Sequence, residues 1–274
     1  MKISGYIPSF NNETTIADSI KSLKLQSYPI DQIFVVDDGS RDRTVTIAKM
    51  CGIDVYCNEK NMGRGFTRAK AIQLAKHDIV VCCDATNELE VNFVKNGIAG
   101  LSDKNVASVF GRISSKAKRG SVNKWRSIHL FKENANYGTG FVKSNLFITY
   151  GTIVRKSHLM AVGNFNPKLR HSEDEEMGER LLQNGYTLLS NHDLQVHSNL
   201  ENSLFEVLER YWRWHVGRNE QCSLWDYLQS IKNSIKPMAQ ADLHYRHWTS
   251  IPISLFCPHY CWLKTLLTRL KSKK

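Results

Sequence analysis

Long apolar runs are missing from this sequence. Its apolar stretches are as short as Ile79–Cys83, far below the ~18 residues that a membrane-spanning helix needs, so no transmembrane segment is expected. The chain begins at Met1 and passes directly into a strand-like segment with Lys2, Ser4 and Gly5. It lacks the apolar core of a secretion signal, which predicts residence in the cytoplasm. Seven cysteines are present but no paired CxxC units, so neither a disulfide framework nor a structural zinc site is indicated. Cys82 and Cys83 sit inside an apolar strand and read as buried thiols. Acidic residues are the scarcer charge, 26 against 37 Lys and Arg, for a net +11. That balance favours an anionic partner: phosphorylated small molecules, a membrane surface or nucleic acid. No internal repeat or low-complexity segment is found.

What remains has the composition of a globular enzyme: 274 residues, 42% hydrophobic and 23% charged, enough to bury a sizeable core. The first hundred residues alternate two patterns. Ile3–Ile7, Ile33–Val36, Val55–Cys57 and Ile79–Cys83 read as strands, while Thr14–Gln26, Thr44–Cys51 and Gly65–Lys76 read as helices. Strands separated by helices predict right-handed crossovers and a parallel sheet, with ligands beyond the carboxyl ends of the strands. Asp37, Asp38 and Asp84 fall at such ends. Further on, Val91–Leu101 is expected to be helical, Val106–Ile113 a strand, Ser114–Gly120 a mobile loop and Lys143–Arg155 strand-like around Gly151. Asp174–Gln183 reads as a helix, Tyr186–Val196 as a strand and Leu204–Gly217 as an aromatic helix. Past Ser223 the helices are expected to break at Pro237, Pro252 and Pro258.

Chemistry begins with the segment from Ile7 to Thr44. Ile7-Pro8 is followed by Asn11, Asn12 and Glu13, then Gln26-Ser27-Tyr28-Pro29, then Val35-Val36-Asp37-Asp38-Gly39-Ser40 and Asp42. Carboxylates at a strand end can accept hydrogen bonds from a base or ribose, and Gly39 permits a tight path; Ser40 and Asp42 could equally cap the next helix. This ordered set closely resembles the N-terminal region of family 2 glycosyltransferases of the GT-A fold. The resemblance implies an α/β protein with a Rossmann-like, mostly parallel sheet flanked by helices, and a helical C-terminal extension. Residues 1–221 would form the catalytic domain, with a nucleotide-binding half to about 103 and an acceptor half after it. Residues 222–274 would form the basic extension.

Residue by residue, the resemblance places Pro8, Phe10, Glu13, Asp38 and Ser40 around the nucleotide. Gly63-Arg64-Gly65 opens a helix, where backbone donors and the Arg64 guanidinium could face a diphosphate, with Arg68 one turn on. The family usually ends the following strand with Asp-x-Asp. Here it reads Asp84-Ala85-Thr86, so Asp84 and Ala85 would meet the donor. Asp84, Thr86 and His197 would hold Mn²⁺ or Mg²⁺, weakened by the loss of one carboxylate. The segment Tyr150–His197 is similar to the acceptor half, with Gly151 beside the donor and Glu173-Asp174 as the acidic pair. Asp174 is the implied general base that takes the acceptor proton during inverting transfer, with Glu173 beside it; an acidic first helical turn is the plainer alternative. Arg210-Tyr211-Trp212-Arg213-Trp214 is similar to the Gln-x-x-Arg-Trp motif of processive members, but with Arg210 in the Gln position. Arg213 would approach the diphosphate and Trp214 the acceptor.

The activity implied is non-processive, inverting transfer of a sugar from a nucleotide-diphosphate sugar to a glycan, lipid-linked or other hydroxyl acceptor. Two other readings stand beside it. A degenerate sugar-nucleotide-binding protein would fit Thr86, while a sugar-phosphate nucleotidyltransferase would need a Gly-rich basic loop that Ser9–Glu13 lacks. Nucleic acid is not expected, because the basic residues form no single platform with aromatics. After Asp242 no acidic residue occurs. Trp262, Leu263, Leu266, Leu267 and Leu270 share one helical face with Lys264, Arg269, Lys271, Lys273 and Lys274 around it. That pattern suits peripheral attachment to an anionic membrane.

Overall fold

The structure is a computed structural model, and it describes residues 1–116, 120–135, 138–216 and 222–272. The chain divides into two compact units, one of residues 1–116 and 136–200, the other of 117–135 and 201–274.

The first unit is an α/β sheet with helices on it. In chain order it contains β1 (Ile3–Ser9), α1 (Ile16–Lys24), β2 (Gln32–Asp37), α2 (Thr44–Met50), β3 (Asp54–Cys57), α3 (Arg64–Leu74) and β4 (Ile79–Cys83). Then come β5 (Asn87–Leu89), α4 (Phe93–Gly97), β6 (Val106–Ser115), β7 (Phe141–Ser144), β8 (Gly151–Arg155), α6 (Lys156–Ala161), α7 (Glu173–Gln183) and β9 (Thr187–Ser198). Among the described residues the strands form one sheet in the order β3-β2-β1-β4-β8-β6-β9-β5, with β7 also on β9. The first four strands are parallel, as their crossover helices require. The second half is mixed: β8 runs antiparallel to both β4 and β6, and β6 runs parallel to β9.

Every residue of β4 is buried, which accounts for its unbroken apolar run. The main core gathers Tyr6, Phe34 and Val80 from the sheet with Ile72 of α3 and Met177 and Leu181 of α7. The strand ends that carry Asp37, Asp38 and Asp84 therefore open on one rim, beneath the first turns of helices that the same core holds.

Several expectations are corrected. Ser114 and Ser115 do not open a loop. They extend β6 because they pair with His197 and Ser198 of β9; residues 117–119 of the expected loop lie outside the described residues. Lys143–Arg155 is not one strand but the last two residues of β7 and the whole of β8. Residues Gly217 and Gln221, where the aromatic helix and the catalytic domain were expected to end, also lie outside the described residues.

The second unit is helical: α5 (Ser121–His129), α8 (Leu204–Val216), α9 (Leu224–Asn233), α10 (Gln240–His244) and α11 (Ile251–Ser272). Trp125, Val207, Leu208, Ile253 and Cys257 make one of its cores. A break does occur at Pro237, where Lys236 leaves helical geometry. Pro252 and Pro258, however, lie within α11, which runs on through both. Pro252 is the second residue of the helix, where an N–H has no intrahelical partner to lose.

Candidate active site

The site is built on two core-facing helical stripes that each carry a charge. On α3 the buried positions include Gly65, Arg68 and Ile72, and on α7 they include Glu173, Met177 and Leu181. These are the spacings at which apolar residues are expected. Arg68 and Glu173 are only 3% and 2% exposed, and ions so buried are tolerated when paired. They meet: Arg68 Nε donates to Glu173 Oε1 at 3.0 Å, while Nη2 donates to Asp84 Oδ1 at 2.7 Å and Nη1 to the Tyr6 hydroxyl at 3.4 Å. One guanidinium thus joins the end of β4 to the first turn of α7. Burial alone would make Arg68 easier to deprotonate; Asp84, Tyr6 and Glu173 outweigh it and hold the group firmly charged.

Asp174 is the next residue round the helix, and it stands at the edge of this buried cluster. Burial and the adjoining Glu173 carboxylate raise its pKa from 3.8 to about 6, against the opposing pull of Arg68, the Glu175 backbone N–H and Arg64. Arg64 is exposed on the first turn of α3, and its field reaches Asp174. The structure therefore brings together Arg64, Arg68, Asp84, Glu173 and Asp174 from the predicted set. Glu173 Oε2 is buried without a hydrogen-bond partner.

At the other end of the rim the acidic residues after β2 organise backbone. Asp37 accepts from Ser9 Oγ at 2.9 Å and from Ser40 N and Oγ at 2.9 and 2.6 Å. Asp38 accepts from Asn58 Nδ2 at 2.9 Å and from Met62 and Gly63 N, both at 2.8 Å. Gly39 has φ +78°, and a Cβ there would lie 2.8 Å from the Lys60 carbonyl carbon, so this turn and the segment before α3 fit only with glycine. Asp42 caps the start of α2 through Thr44 N and Oγ1 and also accepts from Glu13 N. Burial opposes its ionisation, but those hydrogen bonds prevail and lower its pKa. Glu13 in turn accepts from Arg43 N and Nε at 3.0 and 3.2 Å. Phe10 is exposed and Pro8 half-buried beside this turn.

Three backbone donors at the start of α3 are already engaged. Met62 and Gly63 N serve Asp38, and Gly65 N donates to Leu169 O at 3.0 Å. A Cβ on Gly65 would stand 2.2 Å from Asn166 O. At this helix end the Arg64 side chain is exposed. Gly151 likewise has a packing reason, since a Cβ there would meet Val196 Cγ2 at 2.4 Å.

Each of the three residues assigned to a cation has partners of its own. Asp84 is held by Arg68. Thr86 Oγ1 is 3.4 Å from Asn87 Oδ1, and the His197 ring lies between Ser114 Oγ at 2.9 Å and Glu90 Oε1 at 3.4 Å. Among the described residues no three His, Cys, Asp or Glu side chains come together as a metal cage. One paired carboxylate, one hydroxyl and one engaged imidazole do not fit a divalent cation by themselves. Arg213 and Trp214 belong to the second unit, on α8, where Trp214 is exposed.

Two features escaped the sequence reading: the Arg68–Glu173 pair as a structural tie, and Tyr6 as its third partner. The signal was available, because an Arg and a Glu each occupy a position on an apolar stripe.

Comparison with known proteins places the chain in a family. Residues 4–163 match glycosyl transferase family 2, and the chain belongs to that family. It is 25% identical over 239 residues to the O-antigen chain rhamnosyltransferase RfbN of Salmonella typhimurium, covering 82% of this chain and 74% of that one. It is 23% identical over 131 residues to hyaluronan synthase of Streptococcus pyogenes, covering 43% of this chain and 31% of the synthase, so it spans about a third of that relative's length. The mannosyltransferase PcManGT from Pyrobaculum calidifontis, solved with GDP-Man and Mn²⁺, superposes with a TM-score of 0.61 at 17% identity, over 93% of this chain and 73% of that one. The fold is GT-A.

Proposed function

We propose that the protein is an inverting, non-processive glycosyltransferase that uses a nucleotide-diphosphate sugar. The observation that carries this is the arrangement around Arg68: the carboxylate closing the donor strand, Asp84, and the first turn bearing Asp174 are held by one buried side chain. Asp174 accepts the proton of the acceptor hydroxyl as that oxygen attacks the anomeric carbon. The bond from that carbon to the diphosphate breaks on the opposite face, and the nucleoside diphosphate leaves with the electron pair. A carboxyl with a pKa of about 6 is largely ionised at neutral pH and more basic than an ordinary aspartate. Glu173 serves as a positioning residue, because its charge is committed to Arg68.

Asp38 and Ser40 shape the turn that receives the nucleoside, with Pro8, Phe10 and Glu13 beside it. Arg64 faces the diphosphate, and Arg213 and Trp214 serve leaving group and acceptor. Mn²⁺ or Mg²⁺ would arrive with the diphosphate, whose oxygens supply the ligands that Asp84, Thr86 and His197 do not; no step above depends on it. The acceptor is a glycan or lipid-linked hydroxyl, and a lipid-linked one would be met at the cytoplasmic face of a membrane. RfbN and PcManGT support this reading by what their names record: transfer of rhamnose in the first, and bound GDP-Man in the second.

The test is incubation with a panel of nucleotide sugars, followed by release of nucleoside diphosphate and by NMR of the product's anomeric carbon. Inverted configuration is expected. Retention would overturn the mechanism. Donor binding without turnover under every acceptor would favour a degenerate binding protein, the reading that Thr86 in place of a carboxylate supports.

A further inference from the structure

Helix α11 is turned inside out. Its buried face consists of Ile253, Pro258 and small or weakly polar residues: Ser254, Cys257, Cys261 and Thr265. This face packs inward: Thr265 Oγ1 accepts from Trp212 Nε1 of α8 at 3.0 Å, and Ser254 Oγ accepts from Trp125 Nε1 of α5 at 2.8 Å. The opposite face points to solvent and holds the larger side chains. Leu255, Phe256, Leu263, Leu266, Leu267 and Leu270 are all exposed, Leu263 by 57% and Leu270 by 64%. They recur at the three- and four-residue intervals of one helical face. A surface helix ordinarily does the reverse.

Helix α9 repeats the pattern beside it. Leu224, Trp225, Leu228 and Ile235, the last just beyond its end, are exposed, with Trp225 at 67%. Tyr227 stacks on Trp262 at 5.0 Å and its hydroxyl meets His259 Nδ1 at 2.8 Å, while Cys222 O accepts from Arg269 at 3.4 Å. The two helices thus run antiparallel along a shared seam, and their apolar faces border one another. Contiguous apolar surface of this kind marks an interaction site.

Charge identifies what covers it. From Cys222 to Lys274 the sequence has eight Lys and Arg (232, 236, 246, 264, 269, 271, 273 and 274) against two Asp (226 and 242). Asp242 is fully buried and Lys264 is paired with Glu209 of α8, so within this segment Asp226 is the one exposed acid set against the remaining Lys and Arg. Leucine and tryptophan flanked by basic residues are the composition of a segment that lies in a membrane interface. No helix among the described residues is long and apolar enough to cross one.

We infer that the outward faces of α9 and α11 together form a membrane-docking surface, which seats leucine and tryptophan side chains among the headgroups of an anionic bilayer. This deepens the reading of a transferase that meets a lipid-linked acceptor, and it enlarges the attachment from one amphipathic C-terminal helix to a two-helix face.

The experiment is sedimentation of the full chain with phosphatidylcholine vesicles and with vesicles containing a quarter phosphatidylglycerol. Its variants are Leu263→Glu/Leu267→Glu on α11, Trp225→Glu/Leu228→Glu on α9, and a charge reversal of Arg269, Lys271 and Lys273. Wild type is expected to bind the anionic vesicles at least tenfold more tightly. Each apolar pair should cost tenfold or more while leaving the melting temperature intact, because those side chains are exposed. Loss on charge reversal alone, with both apolar variants binding normally, would overturn the face in favour of a simple tail. Absence of binding by wild type would overturn it outright. So would a wild-type dimer that ignores vesicles and dissociates in Leu263→Glu/Leu267→Glu, since the face would then be covered by a second copy. Nucleoside diphosphate release, measured in parallel without vesicles, separates the two readings. Turnover without vesicle binding fails this inference alone, and vesicle binding without turnover fails the catalytic reading alone.

Discussion

Arg68 and Glu173 are 105 residues apart in sequence, yet Nε of one lies 3.0 Å from Oε1 of the other, and neither reaches solvent. Removing one partner leaves an uncompensated buried charge, which typically costs about 3–5 kcal/mol. Arg68→Met should lose roughly that much in urea unfolding, and Glu173→Gln less, because an amide can still accept from Nε. The double variant Arg68→Met/Glu173→Met should recover most of the stability without recovering transfer. Additive losses would show that the pair is not coupled.

Asp174→Asn should lower turnover by about 100- to 10,000-fold with the donor dissociation constant nearly unchanged, since an amide keeps the shape but cannot take the proton. Single-turnover transfer and calorimetric donor binding measure the two separately. Near wild-type transfer would refute the assignment of the base.

The same carboxyl sets a pH dependence. Transfer should rise with pH through an apparent pKa near 6, as Asp174 ionises. Stability has the opposite sign. The folded pKa is raised above the ordinary 3.8, so the native state binds more protons between about pH 4 and 6, and wild type loses stability as pH rises through that window. Asp174→Asn should therefore be more stable than wild type at pH 7.5, by about 1–2 kcal/mol after allowance for solvent screening. The difference should vanish near pH 3.5, and urea titrations at the two pH values would show it.

Mn²⁺ should not bind measurably to the protein alone and should bind once a nucleoside diphosphate is present, because the side chains supply a single, already paired carboxylate. Thr86→Asp should raise the affinity of the ternary complex. Electron paramagnetic resonance of Mn²⁺ reads both, and tight uptake by nucleotide-free wild type would contradict this account.

Asp38 gathers three donors from the segment before α3. Asp38→Ala should release that segment, cost about 2–4 kcal/mol through the unpaired buried donors, and weaken donor binding. Asp42→Ala, the loss of a helix cap, should cost about 1 kcal/mol. Equal effects would mean that Asp38 is no more than a cap.

The parallel half was legible because its strands are buried on both faces and its helices carry regular apolar stripes, as in β4 and α3. Elements that the pattern missed are short or polar. β5 has three residues, Asn87–Leu89, and exists through its pairing with Val196–Ser198. α5, α6 and β7 gave no periodic signal of sufficient length. Pro258 misled because proline propensity was read without the packing that holds α11. In the candidate site, motif order singled out Asp84 and Asp174, but the destination of hydrogen bonds cannot be read from a string. The donors around Asp38, and Arg68 facing inward, emerged from the fold alone.

The placement of β8 between β4 and β6 has a consequence for the protein's birth. On the ribosome β6 is completed some forty residues before β8, the strand that joins it to the finished parallel half. Arg68, made early, waits 105 residues for Glu173, roughly 5–20 s at ordinary elongation rates. Through that interval the nascent chain carries a hydrated guanidinium where the mature enzyme has a sealed ion pair. The order of synthesis thus makes α7 the piece that seals Arg68 into the parallel half.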